Sequence, residues 1–202
     1  MLERSSKSSF MPGMRVFPGG IAAKVDFSPK WLDMLVSASH RKNASNDFGI
    51  TVNQLNDDRP LMIKKALIKE NFQPSISANV GFRICAIRET FEESGILLYK
   101  PLPGRNSDLT ATCLKEWRNL VNENENEFLN MCLQLNVVPD IWNMYEWSNW
   151  LTPLHMGGKK RLRYDTMFYA GFLSEDSEAM HDSGEIVSAE VLLDDSYWFK
   201  RF

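Results

Sequence analysis

Apolar and polar positions along the chain follow helical periods in some segments and strand-like runs in others. Helical spacing of the apolar residues predicts helices at 61–69, 80–95 and 111–135, the last interrupted by the polar run 122–127. Runs rich in aromatic and β-branched residues predict strands at 96–99, 163–173 and within 184–193. Helices and strands that follow one another without strict alternation predict an α+β class, or a layered α/β/α arrangement.

Composition narrows the class of protein. The chain has 202 residues, of which 44% are hydrophobic and 24% charged, enough apolar material for the core of one domain. A net charge of −3 argues against a strongly basic nucleic-acid module. The apolar runs are shorter than the roughly 20 residues of a membrane span, and residues 1–10 lack the hydrophobic core of a signal peptide. The three cysteines and three histidines are scattered, which argues against a zinc site and a disulfide framework.

Three carboxylates cluster in the helix predicted at 80–95. The end of this helix reads Arg88-Glu89-Thr90-Phe91-Glu92-Glu93-Ser94-Gly95-Ile96. The spacing i, i+3, i+4 puts Glu89, Glu92 and Glu93 on one helical face, where they repel one another. A divalent cation removes that cost, and Mg²⁺ favours a few carboxylates together with water and phosphate oxygens. A solvated acidic face is the alternative, but it does not explain Arg88 before the carboxylates and Gly95 after them.

Other residues of the same chain are candidates for the core or for a supporting role. Two sets of apolar residues share a helical face: Trp31, Leu32 and Leu35 in one, and Ile84, Ile87 and Phe91 in the other. Three tryptophans are expected in the core, with adenine stacking as the alternative: Trp142, Trp147 and Trp150.

A glycine-rich segment lies far upstream of the acidic helix. Phe17-Pro18-Gly19-Gly20 is followed, after five further residues, by Asp26. Gly19 and Gly20 allow another group to approach the backbone closely, or allow a tight turn. On the sequence alone, Asp26 can be an ordinary loop residue.

These two segments resemble the halves of the Nudix box, the signature of hydrolases that act on a nucleoside diphosphate linked to another group. Residues 88–96 resemble the second half, REUXEEXGU, and residues 20–26 resemble the first half, GX5E, with Asp in place of Glu. An insertion, residues 27–79, separates the halves. A box split in this way resembles the peroxisomal coenzyme A diphosphatase branch of the family, as do four stretches of the chain: 10–20, 82–98, 139–153 and 163–169.

A second pattern of the coenzyme A branch, LLTxxR[SA]xxxRxxxGxxxFPGG, lies upstream of the box. This chain has Arg4, Ser5, Gly13 and the FPGG segment in register, with Ser9 at the position of the second Arg. The resemblance implies a set of substrate-binding residues: Arg4, Gly13, Phe17, Gly19 and Gly20. The departure at Ser9 leaves other substrates open, such as NADH, ADP-ribose or capped RNA, and a split box leaves open a Nudix binding module without turnover.

The resemblance implies a Nudix-type α/β/α sandwich with a mixed sheet, in the α+β class, formed by residues 1–202 as a single domain. It implies hydrolysis of coenzyme A and acyl-CoA esters to 3′,5′-ADP and (acyl-)4′-phosphopantetheine, with Mg²⁺ or Mn²⁺ as cofactor. The resemblance also implies roles for the site residues: Glu89, Glu92 and Glu93 as metal ligands, and Arg88 as the residue that orients them or the FPGG loop. Asp26, in place of the family's Glu, would neutralise or position Arg88. Glu185, followed by Glu190, is the candidate general base.

The resemblance also bears on partners, location and the ends of the chain. The expected partner is a small molecule, not a membrane or a nucleic acid, and the oligomeric state is open. Only the last residues of the branch's first strand are present, and the branch continues beyond Phe202, so both ends look trimmed. The branch is peroxisomal, but Lys200-Arg201-Phe202 is not a targeting tripeptide, so the alternative location is the cytoplasm.

Overall fold

The computed structural model describes most of the chain outside the long insertion. The described residues are 2–4, 6, 13–39, 76–104, 109–152, 164–171 and 186–189. Within them the helices are α1 (Lys30–Ser39), α2 (Ala78–Ser94), α3 (Ala111–Glu123) and α4 (Glu127–Gln134), with 3₁₀ turns at Lys24–Phe27 and Ile141–Asn143. The strands are β1 (Leu2–Arg4), β2 (Arg15–Val16), β3 (Tyr99–Pro101), β4 (Val137–Pro139), β5 (Met144–Leu151), β6 (Asp165–Gly171) and β7 (Ile186–Ala189). The α+β class is confirmed.

The strands form three small antiparallel sheets. Strand β1 lies between β2 and β7, with Leu2 opposite both Val16 and Ala189. Strands β3 and β4 form one pair, and β5 and β6 form a hairpin-like pair whose register shifts between Glu146 and Ser148. Every pairing among the described strands is antiparallel, so the parallel pairs of the predicted mixed sheet are not seen in this part of the chain.

Helix α2 is the centre of the fold. It begins after Ser77, whose side chain accepts a hydrogen bond from the backbone N–H of Val80 at 3.2 Å. It ends at Gly95, whose positive φ of 76° allows the left-handed conformation that closes a helix. The helix predicted at 80–95 and its terminating glycine are confirmed, although the helix begins earlier, at Ala78.

The core packs around this helix. The side chains of Ile84, Ile87 and Phe91 are fully buried, as their spacing predicts. The rings of Trp31 in α1 and Phe91 in α2 flank Phe128 in α4, with centroid distances of 5.9 and 6.3 Å to the Phe128 ring. Burial of these large rings contributes to the packing of α1, α2 and α4 against one another.

Other predicted elements differ in detail. The helical stretch 111–135 divides into α3 and α4 at the polar residues 124–126, as the polar run indicates. The strand predicted at 96–99 overlaps β3 only at Tyr99, because the pairing with β4 spans Tyr99–Pro101. Leu97 and Leu98 pack against the core just before this strand, and the Leu98 carbonyl accepts a hydrogen bond from the backbone N–H of Asp140 at 3.1 Å. The helix predicted at 61–69 lies outside the described residues.

None of the described helices is long and apolar enough to cross a membrane.

Candidate active site

The glycine-rich loop and the C-terminal half of α2 meet at one place. The chain runs from the loop at 17–20 into the 3₁₀ turn Lys24–Phe27, which packs against α2. Phe27 of this turn lies so close to Gly81 of α2 that a side chain at position 81 would overlap its ring. This contact places Asp26, one residue earlier, beside the acidic end of the helix.

Arg88 binds Asp26 in the interior of the protein. Its Nε donates to Oδ1 of Asp26 at 2.9 Å and its Nη2 to Oδ2 at 3.0 Å, while both side chains are almost fully buried. The backbone N–H of Ala23 donates to the same carboxylate at 2.8 Å. Burial alone lowers the pKa of Arg88. The hydrogen bonds and the charge of Asp26 raise this pKa by a larger amount, so the net shift is upward and the guanidinium stays charged.

The same guanidinium also binds two of the three glutamates. Nη2 of Arg88 lies 2.9 Å from Oε1 of Glu89, and Nη1 lies 2.7 Å from Oε1 of Glu92. One planar group therefore contacts three carboxylates, and each glutamate uses only Oε1 in this contact. Arg88 thus orients the glutamates while it is itself held by Asp26.

The two glycines of the loop approach two glutamates of the acidic cluster, Glu93 and Glu89. The backbone N–H of Gly19 donates to Oε2 of Glu93 at 2.9 Å. A Cβ at Gly20 would lie 2.6 Å from Cδ and 2.7 Å from Oε1 of Glu89, so any side chain at position 20 would displace this carboxylate. Gly20 therefore lets the loop approach α2 while the Glu89 carboxylate stays in contact with Arg88. Whether these glycines also bind substrate stays a prediction.

The carboxylates carry more negative charge than Arg88 can balance. Burial, together with the charges of Glu92 and Glu93, raises the pKa of Glu89 to about 7 against the opposing effect of Arg88. Burial likewise raises the pKa of Glu92. A cation at this face would favour the ionised form of each group.

The cluster fits a hard divalent cation by its chemistry, since all its side-chain donors are carboxylate oxygens. In the described part of the chain no three His, Cys, Asp or Glu side chains form a ready-made cage. Mg²⁺ does not require one, because it commonly keeps several waters and binds one or two carboxylates together with substrate phosphates. Glu89, Glu92 and Glu93 can therefore hold such an ion at the exposed loop formed by Gly19 and Gly20.

Other predicted site residues lie on separate elements. Arg4 is in β1, where its backbone pairs with Ile186, and its side chain is outside the described residues. Gly13 has a φ of 68° in a turn. Phe17 is 55% exposed and its ring meets Phe168 of β6 edge to face at 6.1 Å. The candidate general bases, Glu185 and Glu190, lie outside the described residues.

The tryptophans divide between core and surface. Trp142 is buried, with Nζ of Lys100 at 4.5 Å from its ring centroid, as a core position predicts. Trp147 and Trp150 are 69% and 67% exposed, so the expectation that they belong to the core is wrong. They lie on the β5–β6 pair, and among the described strands neither β5 nor β6 pairs with any other strand.

Two residues near the cluster were not identified from the sequence. Arg118 of α3 is buried and its Nε donates to the backbone carbonyl of Glu92 at 2.8 Å. The Sγ of Cys85 lies 3.7 Å from Nη2 of Arg88, and burial raises the pKa of this thiol well above its usual range. The sequence did offer a signal for the burial of Arg118. This residue lies about one helical turn before Val121 and so shares the buried face of α3.

Known proteins resemble this chain in sequence and in fold. The family model described as NUDT19 Nudix domain matches residues 1–198. Proteins named acyl-coenzyme A diphosphatase NUDT19 are similar to this chain. The Gallus gallus protein is 41% identical over 83% of this chain and 46% of its own length. The Xenopus laevis protein is 37% identical over 93% of this chain and 50% of its own length, and the Homo sapiens protein is 34% identical over 93% of this chain and 51% of its own length. The chain spans about half the length of these curated relatives.

A solved structure has the same fold. The crystal structure of a NUDIX hydrolase from Alicyclobacillus acidocaldarius superposes with a TM-score of 0.61 over 93% of this chain and 67% of that chain, at 20% identity. This likeness supports the fold predicted from the split box. With the glutamate helix, the glycine loop and the match over residues 1–198, the chain belongs to the NUDT19 Nudix domain family.

Proposed function

We propose that this chain hydrolyses the diphosphate bond of coenzyme A and of acyl-CoA esters. The products are 3′,5′-ADP and 4′-phosphopantetheine or its acyl derivative, formed as water adds across the P–O–P link. The observation that carries the proposal is the contact of one guanidinium, that of Arg88, with Asp26, Glu89 and Glu92 in a chain of this family. The relatives' name, acyl-coenzyme A diphosphatase, supports the choice of substrate.

Hydrolases of this family generally use divalent metals, and we infer that Mg²⁺ or Mn²⁺ serves here, held by Glu89, Glu92 and Glu93. When bound, the ion neutralises the diphosphate charge and lowers the pKa of a bound water. The acidic cluster supports this inference, because a cation would compensate its excess negative charge and favour the ionised form of Glu89.

The chain's own residues supply preorganisation. Asp26 holds Arg88 through two hydrogen bonds, and Arg88 holds Oε1 of both Glu89 and Glu92. The backbone N–H of Gly19 holds Glu93. The carboxylates are therefore oriented before substrate arrives, and little reorganisation energy is spent during the reaction.

Substrate recognition and proton transfer involve further residues. We propose Arg4, Gly13 and Phe17 as contacts to coenzyme A, together with the exposed loop at Gly19 and Gly20. Glu185 is the proposed general base, which takes the proton of the attacking water.

The whole-protein properties are proposals of the same kind. We propose that residues 1–202 belong to a single Nudix domain, and that the natural protein acts in the peroxisome, as its branch implies. Fluorescence microscopy of the natural full-length protein tests the location. A purely cytoplasmic signal would contradict it.

A product assay tests the function. Purified protein with a cooperative melt is incubated with coenzyme A or an acyl-CoA and Mg²⁺, and mass spectrometry follows 3′,5′-ADP. We compare the wild type with Glu92→Gln and with Glu116→Gln, a matched change at an exposed position of α3. Product is expected from the wild type and Glu116→Gln, and its rate should fall at least about 100-fold in Glu92→Gln. A folded wild type without product, or a fully active Glu92→Gln, would refute the proposal.

A further inference from the structure

The last turn of α2 leaves the backbone carbonyl of Glu92 without its usual helical donor. In a continuing helix the N–H of Ile96 would donate to this carbonyl. Here the helix ends, the N–H of Gly95 donates to Phe91 at 2.9 Å, and the N–H of Ile96 donates instead to Oγ of Ser94 at 3.2 Å. The carbonyl of Glu92 must therefore be satisfied from outside the helix.

Arg118 supplies that donor from another helix. Its Nε lies 2.8 Å from the Glu92 carbonyl oxygen, although the two residues are 26 positions apart. Arg118 is only 6% exposed, so the bond is shielded from water. A guanidinium at this place also interacts favourably with the partial negative charge at the C-terminus of α2.

Glu92 is thus held at two points by two different arginines. Nη1 of Arg88, within α2, binds its carboxylate at 2.7 Å, and Arg118, on α3, binds its backbone. The turn fixed by Arg118 carries both Glu92 and Glu93, whereas Glu89 lies one turn earlier. A shift of this last turn would therefore change the spacing of the three carboxylates.

We propose that Arg118 is a positioning residue for the cation site, which acts through the Glu92 backbone to set the affinity for Mg²⁺ or Mn²⁺. The proposal rests on the function proposed above for the site. It assigns Arg118 no contact with substrate. Partners that orient metal ligands commonly change metal affinity by 10- to 100-fold when they are removed.

Arg83 offers a matched comparison, because it lies on α2, the helix that carries the three glutamates. It is 5% exposed, and its Nε donates to the backbone carbonyl of Met144 at 3.2 Å. It is therefore also a buried arginine bound to a carbonyl of another element. Its position precedes the glutamates by more than a turn, so its loss should affect stability without changing the carboxylate spacing.

The test measures Mn²⁺ binding without substrate, by the loss of the free-ion signal in electron paramagnetic resonance. The variants are Arg118→Lys, Arg118→Gln and Arg83→Lys, each checked by thermal melting. We expect both Arg118 variants to bind Mn²⁺ about tenfold more weakly and to need correspondingly more Mg²⁺ for half-maximal activity, with KM for coenzyme A unchanged. Arg83→Lys should melt earlier but bind Mn²⁺ as the wild type does.

Several outcomes would overturn the proposal. It fails if a folded Arg118 variant binds Mn²⁺ as tightly as the wild type, or if Arg83→Lys weakens binding equally, which would indicate a general effect of stability. It also fails if neither Arg118 variant melts cooperatively, since the role is then structural, or if the wild type binds no Mn²⁺. A wild type that binds Mn²⁺ in an Arg118-dependent way but does not cleave coenzyme A would refute only the proposed substrate.

Discussion

The carboxylate of Asp26 and the guanidinium of Arg88 form a buried, two-bond ion pair between residues 62 positions apart. The pair joins the 3₁₀ turn that follows the glycine-rich loop to helix α2, across the insertion. It provides the physical link between the separated halves of the Nudix box. Asp, one methylene shorter than the Glu of the family pattern, is long enough here because the 3₁₀ turn packs directly against α2.

Removal of the Asp26 charge should destabilise the protein. Asp26→Asn leaves Arg88 buried with only Glu89 and Glu92 as counter-charges, so the free energy of unfolding should fall by about 2 to 3 kcal/mol. Urea denaturation measures the change. The control is Asp33→Asn, the same substitution at an exposed position of α1, which should cost less than about 0.5 kcal/mol. Equal effects at the two positions would show that the pair contributes nothing.

Substitution of Gly20 should impair the site more than the fold. In Gly20→Ala the new methyl group overlaps the carboxylate of Glu89, so this side chain must move. We expect the Mg²⁺-dependent rate to fall by about 10- to 100-fold with the melt still cooperative. Gly104→Ala is the control, because its Cβ meets no atom within 4 Å and its φ of 70° costs only about 1 kcal/mol of backbone strain. An unchanged rate in Gly20→Ala would contradict the assigned contact.

The stability of the metal-free protein should depend on pH through Glu89. Its folded-state pKa of about 7 exceeds the usual 4.5, so the folded protein binds more protons than the unfolded chain between these values. Its contribution to stability is therefore complete below pH about 4.5 and is lost as the pH rises through 7. At pH 8 in a chelator, Glu89→Gln should be about 1 to 3 kcal/mol more stable than the wild type.

Denaturation at several pH values measures this difference. The gain of Glu89→Gln over the wild type should shrink as the pH falls towards 4.5. Glu123→Gln, at an exposed position of α3, is the control and should show no such trend. A difference for Glu89→Gln that stays constant with pH would show that its carboxyl titrates normally.

The aromatic contact between the helices should dominate stability. Phe128 is fully buried between Trp31 and Phe91, so Phe128→Ala should lower the free energy of unfolding by about 3 to 5 kcal/mol. Leu133→Ala, on the same helix but with its side chain 44% exposed, should cost less than about 1 kcal/mol. Similar losses from the two variants in thermal or urea unfolding would contradict this account of the core.

Local sequence determined the acidic helix α2. The spacing of Glu89, Glu92 and Glu93 and the terminating Gly95 predict one acidic face and its end, since both depend on the helical period and on backbone conformation within a few residues. The buried face of α2 follows for the same reason. The two motif halves, residues 20–26 and 88–96, also indicated the family, although the insertion 27–79 separates them.

Only the tertiary structure decided what surrounds that helix. Helical period carries no information about contacts between distant segments, such as Gly20 with Glu89 or Arg118 with Glu92. The same limit explains the tryptophans: a large apolar side chain predicts burial, but Trp147 lies on a strand pair that leaves it exposed. The chain by itself therefore specified the carboxylates, whereas packing of the loop and of α3 against α2 determined how they are held and charged.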